Sequence, residues 1–332
     1  MIVLAGDIGG THARLALFRV GSGSAPELVS EHTVDSAGRP GLSPIVREFL
    51  EGLDPGVRDE VEGVCMAVAG PIEDGVCHLP NLGWTLDAHR FGTEIGFAAA
   101  TLINDFEAVG HGVLFLEADG YASLQEGRGR ARAPIAVLGP GTGLGQGFLL
   151  WEQSGYRVHA SEGGHGDFAP RTDLEWGLAE HLRAHFGHAS WERVLSGPGL
   201  VEIYRYLAAF GFAPEAKPVV DELTSGVPPE VISRHGLQRT DRLSEQALEI
   251  FVSALGAQAG NLALTVEATG GVWIAGGIAP RLLTKLQEGS FMAAFRNKGR
   301  LSDLLEGVPV RVILDGRVGL KGAARVAAGR RT

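Results

Sequence analysis

Two short glycine-rich segments, Gly6-Asp7-Ile8-Gly9-Gly10-Thr11 and Gly139-Pro140-Gly141-Thr142-Gly143, each lie between runs of apolar and β-branched residues. Backbone N–H groups can close on a phosphate only where no Cβ blocks the approach and the chain is free to take positive φ. Gly9, Gly10 and Thr11 offer one such cradle; Gly141, Thr142 and Gly143 offer another. Neither is a Walker loop, because GxxxxGK[ST] is absent, and neither is a dinucleotide fingerprint, because a strand rather than a helix follows each turn. Two ordinary β-hairpins are the competing reading, and the matched pair of turns together with the acid Asp7 weighs against it. A third signal, Gly276-Gly277, stands between an apolar run and Pro280; it could let a flat adenine lie against the backbone, or be a plain connection.

The polar candidates follow the apolar runs. Asn104-Asp105 terminates Thr101-Leu102-Ile103 where a helix begins. Asp105 could be the helix N-cap, the commonest use of Asp there. It could also accept the proton of a substrate hydroxyl in a cleft between lobes, with Asn104 bonding a neighbouring hydroxyl. The stretch SEGGHGDF (161–168) sets Glu162 and His165 three apart across two glycines. Such a loop suits a polyol or is merely a glycine-rich surface loop, and one His with one Glu is too few for a stable zinc site. Glu192, two residues after the expected N-cap Ser190, either complements the helix dipole or points a carboxylate at whatever occupies the cleft.

Composition bounds what these residues can serve. The chain has 332 residues, 45% of them hydrophobic, more than a single core usually organises, so two lobes are expected. A net charge of -10 excludes an extended nucleic-acid surface. Only Cys65 and Cys77 are present, too few for a disulfide framework, which fits a reducing cytoplasm. No signal peptide and no uncharged stretch of membrane-spanning length is read.

The positioning elements follow from periodicity. Residues 2–20 read as strand, glycine turn, strand, and 134–151 repeat that layout. Further strands are expected over 61–69, 101–103, 271–274 and 308–314. Helices are expected over 42–50, from Asn104 or Asp105 to Val113, over 174–185, 190–209 and 244–267, near Pro280, and from about Gly319. The proline-bearing segment 213–240 is expected to be loop, and the Arg330-Arg331 tail to fray.

Taken in order, GDIGGTHARL (6–15), LINDFEAV (102–109), GPGTGLG (139–145), EGGHGDFAP (162–170), WERVLSGPGL (191–200) and GGVWIAGGI (270–278) resemble the bacterial glucokinase family, the group distinct from the ROK kinases. The resemblance spans nearly the whole chain. It implies an actin-like (ribonuclease-H-like) two-lobed α/β fold, with mixed sheets flanked by helices. The implied lobes are residues 1–110 plus the C-terminal helix at about 316–332, and residues 111–315. ATP and Mg²⁺ become the expected co-substrates, and a glucose-like hexose phosphorylated at its 6-hydroxyl the expected acceptor. By matching positions, Asp105 corresponds to the catalytic base, and Asn104, Glu162, His165 and Glu192 to sugar ligands. Asn81, in PNLGW (80–84), matches the family's N-x-x-W loop and joins that set. Gly6 to Thr11 and Gly139 to Gly145 correspond to the phosphate hairpins, and Gly276-Gly277 to the adenosine motif. Asp7 is expected to orient a metal-bound water. Two departures are visible: His12 stands where the family usually has Asn, and Gly166 where it often has a branched residue. The cysteine-rich zinc motif of ROK kinases is absent.

The expected protein is thus an ATP-dependent glucokinase of the cytoplasm, feeding glycolysis, with no nucleic-acid or membrane partner and with a homodimer left open. Its rivals are a kinase for another hexose or an amino sugar, and a sugar-sensing protein on the same fold. The latter's usual helix-turn-helix has no room before the first strand.

Overall fold

The computed structural model describes residues 1–21 and 23–329, so the Arg330-Arg331 tail lies outside the described residues. The chain divides into two compact units. The first comprises Met1–Tyr121, Leu149–Ala160 and the segment from Asp315 onward; the second comprises Ala122–Phe148 and Ser161–Leu314.

In the first unit, β1 (Ile2–Ile8) turns back antiparallel into β2 (His12–Arg19), which pairs antiparallel with β3 (Glu27–Asp35). On its other side β1 pairs in parallel with β4 (Val61–Val68). After a small antiparallel sheet of β5 (Ile72–Glu73), β6 (Val76–Leu79) and β7 (Trp84–Asp87), β8 (Thr101–Asn104) adds in parallel to β4. The order is β3-β2-β1-β4-β8, the expected mixed sheet.

β1 is apolar at nearly every position because both of its faces are covered. Side chains alternate across a strand, so Ile2 and Leu4 enter one core with Ile45, Val46 and Phe91, while Val3 and Ala5 enter another with Leu320, Ala323 and Ala324. The register sets Ile8, Val68 and Asn104 in one row at the carboxyl ends of the three parallel strands. The first glycine turn and Asn104-Asp105 therefore emerge at the same edge of this sheet, where open α/β sheets place ligands.

A six-stranded sheet follows, of β9 (Tyr121–Gln125), β10 (Ile135–Pro140), β11 (Leu144–Glu152), β12 (Gly155–Ser161), β13 (Gly271–Ile274) and β14 (Val310–Ile313), in the order β12-β11-β10-β13-β14-β9; β10, β13, β14, nearly all of β9 and the first half of β11 belong to the second unit, while the rest of β11 and nearly all of β12 fall in the first. β10, β13 and β14 run parallel. Their core continues into the helices Asp173–Phe186, Gly197–Phe210 and Arg242–Thr265.

Four expectations change. The segment 213–240 is not loop: it forms the helices Lys217–Ser225 and Pro228–Gln238, with the prolines in their first turns, where the missing N–H costs nothing. The helix expected from Ser190 begins at Gly197, capped by Ser196. At Pro280 the chain forms a 3₁₀ turn, Pro280–Leu282, before the short helix Leu283–Gln287. Finally, Arg242–Thr265 is long and apolar enough to cross a membrane, but most of it is buried in this unit's core. That burial accounts for its composition.

Candidate active site

In the first unit the turn between β1 and β2 is closed by Gly9 N–H donating to His12 O (2.9 Å). The residues after β3 brace it: Ser36 N–H donates to Thr11 O (2.9 Å) and the Ser36 hydroxyl to Gly9 O (3.2 Å). Asp7 lies opposite Arg14 in the ladder, and the guanidinium donates to its Oδ2 at 2.5 Å and to Gly316 O at 2.8 Å. His12, the departure from the family pattern, is paired across the strands with Asp35, Nδ1 to Oδ1 2.9 Å.

Asn104 and Asp105 divide two roles that the sequence leaves open. The cap of helix Asp105–Val113 is Asn104, whose Oδ1 accepts from Phe106 N–H (2.9 Å) and Glu107 N–H (3.3 Å) while its Nδ2 donates to Gly70 O (3.2 Å). Asp105 is the first helical residue, half-buried, with Oδ1 accepting from Phe106 N–H at 2.9 Å. The need for a cap therefore does not account for Asp105. Burial first, and the Asp105 charge second, push the Cys77 thiol up. Further along the helix, burial raises the Glu107 carboxyl and lowers the His111 imidazole to about 4. Asn81 is exposed on the turn between β6 and β7, and a Cβ on Gly10 would lie 3.7 Å from its Cβ. The first glycine turn and the N-x-x-W loop are thus neighbours.

In the second unit, Gly141 N–H donates to Gly143 O (2.8 Å) within the turn, and Gly197 N–H donates to Gly141 O (2.8 Å) from the start of helix Gly197–Phe210. Gly276 lies alongside: a Cβ there would stand 2.3 Å from Pro140 O, and its φ of +83° is in the left-handed region. Gly276 and the second glycine turn are thus packed together. Gly9, Gly10, Gly141 and Gly143 do not take positive φ, contrary to the sequence expectation. At Gly143 the requirement is space, since a Cβ would fall 2.4 Å from Glu192 Oε2.

Glu162 precedes a 3₁₀ turn, Gly163–His165, and its Oε2 lies 3.8 Å from His165 Nε2. His165 Nδ1 lies 3.9 Å from Glu192 Oε1. Glu162 and His165 are each 64% exposed and Glu192 32%, so the three side chains converge where a ligand can reach them. Glu192 sits in a turn rather than on a helix: its N–H donates to Gly164 O (2.8 Å), and its Oε2 accepts from Leu144 N–H (2.9 Å). This link to the second glycine hairpin has no local sequence signal, nor does the Arg14 contact to Asp7.

The fit to Mg²⁺ can be read from the donors. No group of three or more His, Cys, Asp or Glu side chains among the described residues could hold a metal ion. One Asp7 oxygen is engaged by Arg14. Such a sparse donor set suits an ion held mainly by phosphate oxygens and water, as Mg²⁺ commonly is.

The chain matches the family model for glucokinase over residues 4–330. It is 42% identical to the glucokinase of Nostoc sp. over 340 residues, covering 98% of this chain and 99% of that one. Among solved structures, a glucokinase from an Antarctic psychrotroph superposes with a TM-score of 0.85 at 33% identity, covering 99% of both chains. A ROK family glucokinase from Streptomyces griseus, determined with glucose and AMPPNP, superposes with a TM-score of 0.66 at 21% identity, covering 99% of this chain and 100% of that one, a likeness of fold alone. The two units share the actin-like ATPase fold of these kinases, and by sequence and by structure this chain belongs to the glucokinase family.

Proposed function

We propose that the protein is a glucokinase, transferring the terminal phosphoryl group of ATP to the 6-hydroxyl of glucose and releasing ADP and glucose 6-phosphate. The observation that carries this reading is the near-full-length likeness to glucokinases at 42% identity. Phosphoryl transfer asks little covalent chemistry of the protein, so positioning and charge neutralisation supply most of the acceleration. The turns Gly9 to Thr11 and Gly141 to Gly143, with Gly6 to Ile8 shaping the first, hold the phosphates through donors other than Gly9 N–H and Gly141 N–H, which close the turns on His12 O and Gly143 O. Gly276-Gly277 takes the adenosine. Asn81, Asn104, Glu162, His165 and Glu192 bond the sugar hydroxyls, and Asp105 accepts the proton of the attacking 6-hydroxyl. Mg²⁺, when bound, offsets the triphosphate charge, with Asp7 accepting from its water.

The same reading makes this a cytoplasmic enzyme at the entry to glycolysis, acting on small molecules alone or as a homodimer. A coupled ADP-release assay of the purified protein with MgATP against a panel of hexoses and amino sugars tests it. Glucose is expected to give the highest kcat/KM. A higher value for another sugar would reassign the acceptor, and no turnover with any sugar would leave a sensor on a kinase fold.

A further inference from the structure

We propose that the Glu192 carboxylate is shared between the sugar subsite and the second phosphate turn, so that glucose and nucleotide bind with a coupling carried by this one side chain. The proposal rests on the glucokinase reading above and deepens it.

The two oxygens of Glu192 face two different tasks. Oε1 lies 3.9 Å from His165 Nδ1, on the side of the proposed sugar ligands. Oε2 accepts from Leu144 N–H at 2.9 Å, immediately after the Gly141-Thr142-Gly143 turn, and lies 2.4 Å from where a Cβ on Gly143 would be. A bond from a backbone N–H to a charged carboxylate is about twice as strong as a neutral one. Glu192 thereby fixes the point at which the phosphate turn enters β11.

The surrounding backbone makes the link stiff. Glu192 N–H donates to Gly164 O (2.8 Å), the Ser196 hydroxyl donates to Glu192 O (2.7 Å), and Gly197 N–H donates to Gly141 O (2.8 Å). A Cβ on Gly164 would lie 2.2 Å from Leu144 O, so the sugar loop rests directly on the residue that Glu192 holds. Displacing the turn must move the carboxylate, and engaging the carboxylate on a sugar hydroxyl must reset its hold on the turn. Glu192 is therefore a positioning residue for the phosphate turn as well as a sugar ligand.

The test is calorimetric titration of glucose, and of a non-hydrolysable ATP analogue with Mg²⁺, each alone and with the other saturating. Linkage requires the two ligands to change each other's affinity by one common factor, typically about 5- to 150-fold where sites are coupled. In Glu192→Gln that factor should fall to about 1, and the nucleotide Kd measured without sugar should also rise. Gly143→Ala, in a turn assigned to phosphate, should raise the glucose Kd about 10-fold in the complete absence of nucleotide. The double variant Gly143→Ala with Glu192→Gln should lose no more glucose affinity than Glu192→Gln alone, the non-additivity expected of a shared carboxylate. If Gly143→Ala does not fold, Glu192→Asp replaces it; one methylene shorter, it cannot keep both contacts and should lose the coupling factor. Wild-type protein that binds no glucose would remove the glucokinase reading itself. Wild-type binding with an unchanged nucleotide-free glucose Kd in Gly143→Ala, or with the factor intact in Glu192→Gln or Glu192→Asp, would overturn the coupling and leave that reading standing.

Discussion

Asp105→Asn separates a base from a helix-start carboxylate, because the structure assigns the capping bonds elsewhere. Asn104 supplies them, and an Asn at 105 retains an oxygen for Phe106 N–H. The substitution removes a negative charge from the first turn, worth about 0.3–1 kcal/mol against the helix dipole, and Glu107 remains there. At about 2–4 °C per kcal/mol for domains of 150–250 residues, Tm should fall by no more than about 4 °C. Loss of a general base costs at least ~10² in kcat, about 2.7 kcal/mol of barrier at 1.36 kcal/mol per tenfold. The two readings thus differ by more than either measurement's error. Coupled ADP release gives kcat, calorimetry gives the glucose Kd, and thermal melting gives Tm. A kcat within tenfold of wild type, with glucose binding retained, would refute the assignment of Asp105 as base. The matched control is Asn104→Ala, which should cost about 1 kcal/mol as a lost cap; a Tm unchanged in that variant would refute the division of roles.

Glu162→Gln and His165→Ala should each raise the glucose KM about 5- to 150-fold, the equivalent of about 1–3 kcal/mol for an unpaired hydroxyl. The ATP KM should stay nearly constant and stability within about 1 kcal/mol; an equal rise in both Michaelis constants would make this loop structural. Gly276→Ala should cost about 1–3 kcal/mol, because it combines a left-handed φ of +83° with a Cβ 2.3 Å from Pro140 O. Gly277→Ala, with nothing within 4 Å and no positive φ, should melt with wild type; equal melting of both variants would contradict the geometry. His111 is buried with Nδ1 unpartnered, and its folded pKa of about 4 lies below the usual 6.5. Between those values the unfolded chain binds the extra proton, so this group makes stability fall as pH drops from 6.5 toward 4, by up to about 3 kcal/mol. Glu107, raised by burial, works in the opposite sense above its ordinary pKa of 4.5. His111→Leu should flatten the acid limb of denaturant-melting midpoints; an unchanged limb would place the proton elsewhere.

Local rules made the hairpins readable. Apolar residues on both sides of Gly9-Gly10 and of Gly141-Thr142-Gly143 specify strand, break and strand, and those pairings formed at those positions. The helix after β8 was readable too, but not its cap. Asn104 and Asp105 are both good caps, and the choice follows from the extended backbone at Asn104, φ -64° and ψ 150°, which no propensity reports. Proline misled in the opposite direction. Pro218, Pro228 and Pro229 look like loop residues until their position in the first turn is known, where a fixed φ starts a helix as readily as it stops one.

The glycines show where sequence reasoning has to give way to packing. Gly143 is explicable neither by its neighbours nor by a left-handed φ; what excludes a side chain there is Glu192, whose bond to Leu144 joins residues 48 apart in sequence. A motif identifies which residue types a phosphate turn requires. Only the folded chain shows that one of those glycines makes room for a carboxylate facing the proposed sugar ligands. The same limit applies to Arg14: its partner Asp7 is only seven positions away, but the antiparallel register that puts them side by side depends on a turn of the right length. The residues with the least local signal are therefore the ones that connect one motif to another, and a substitution chosen from motifs alone would leave those connections untested.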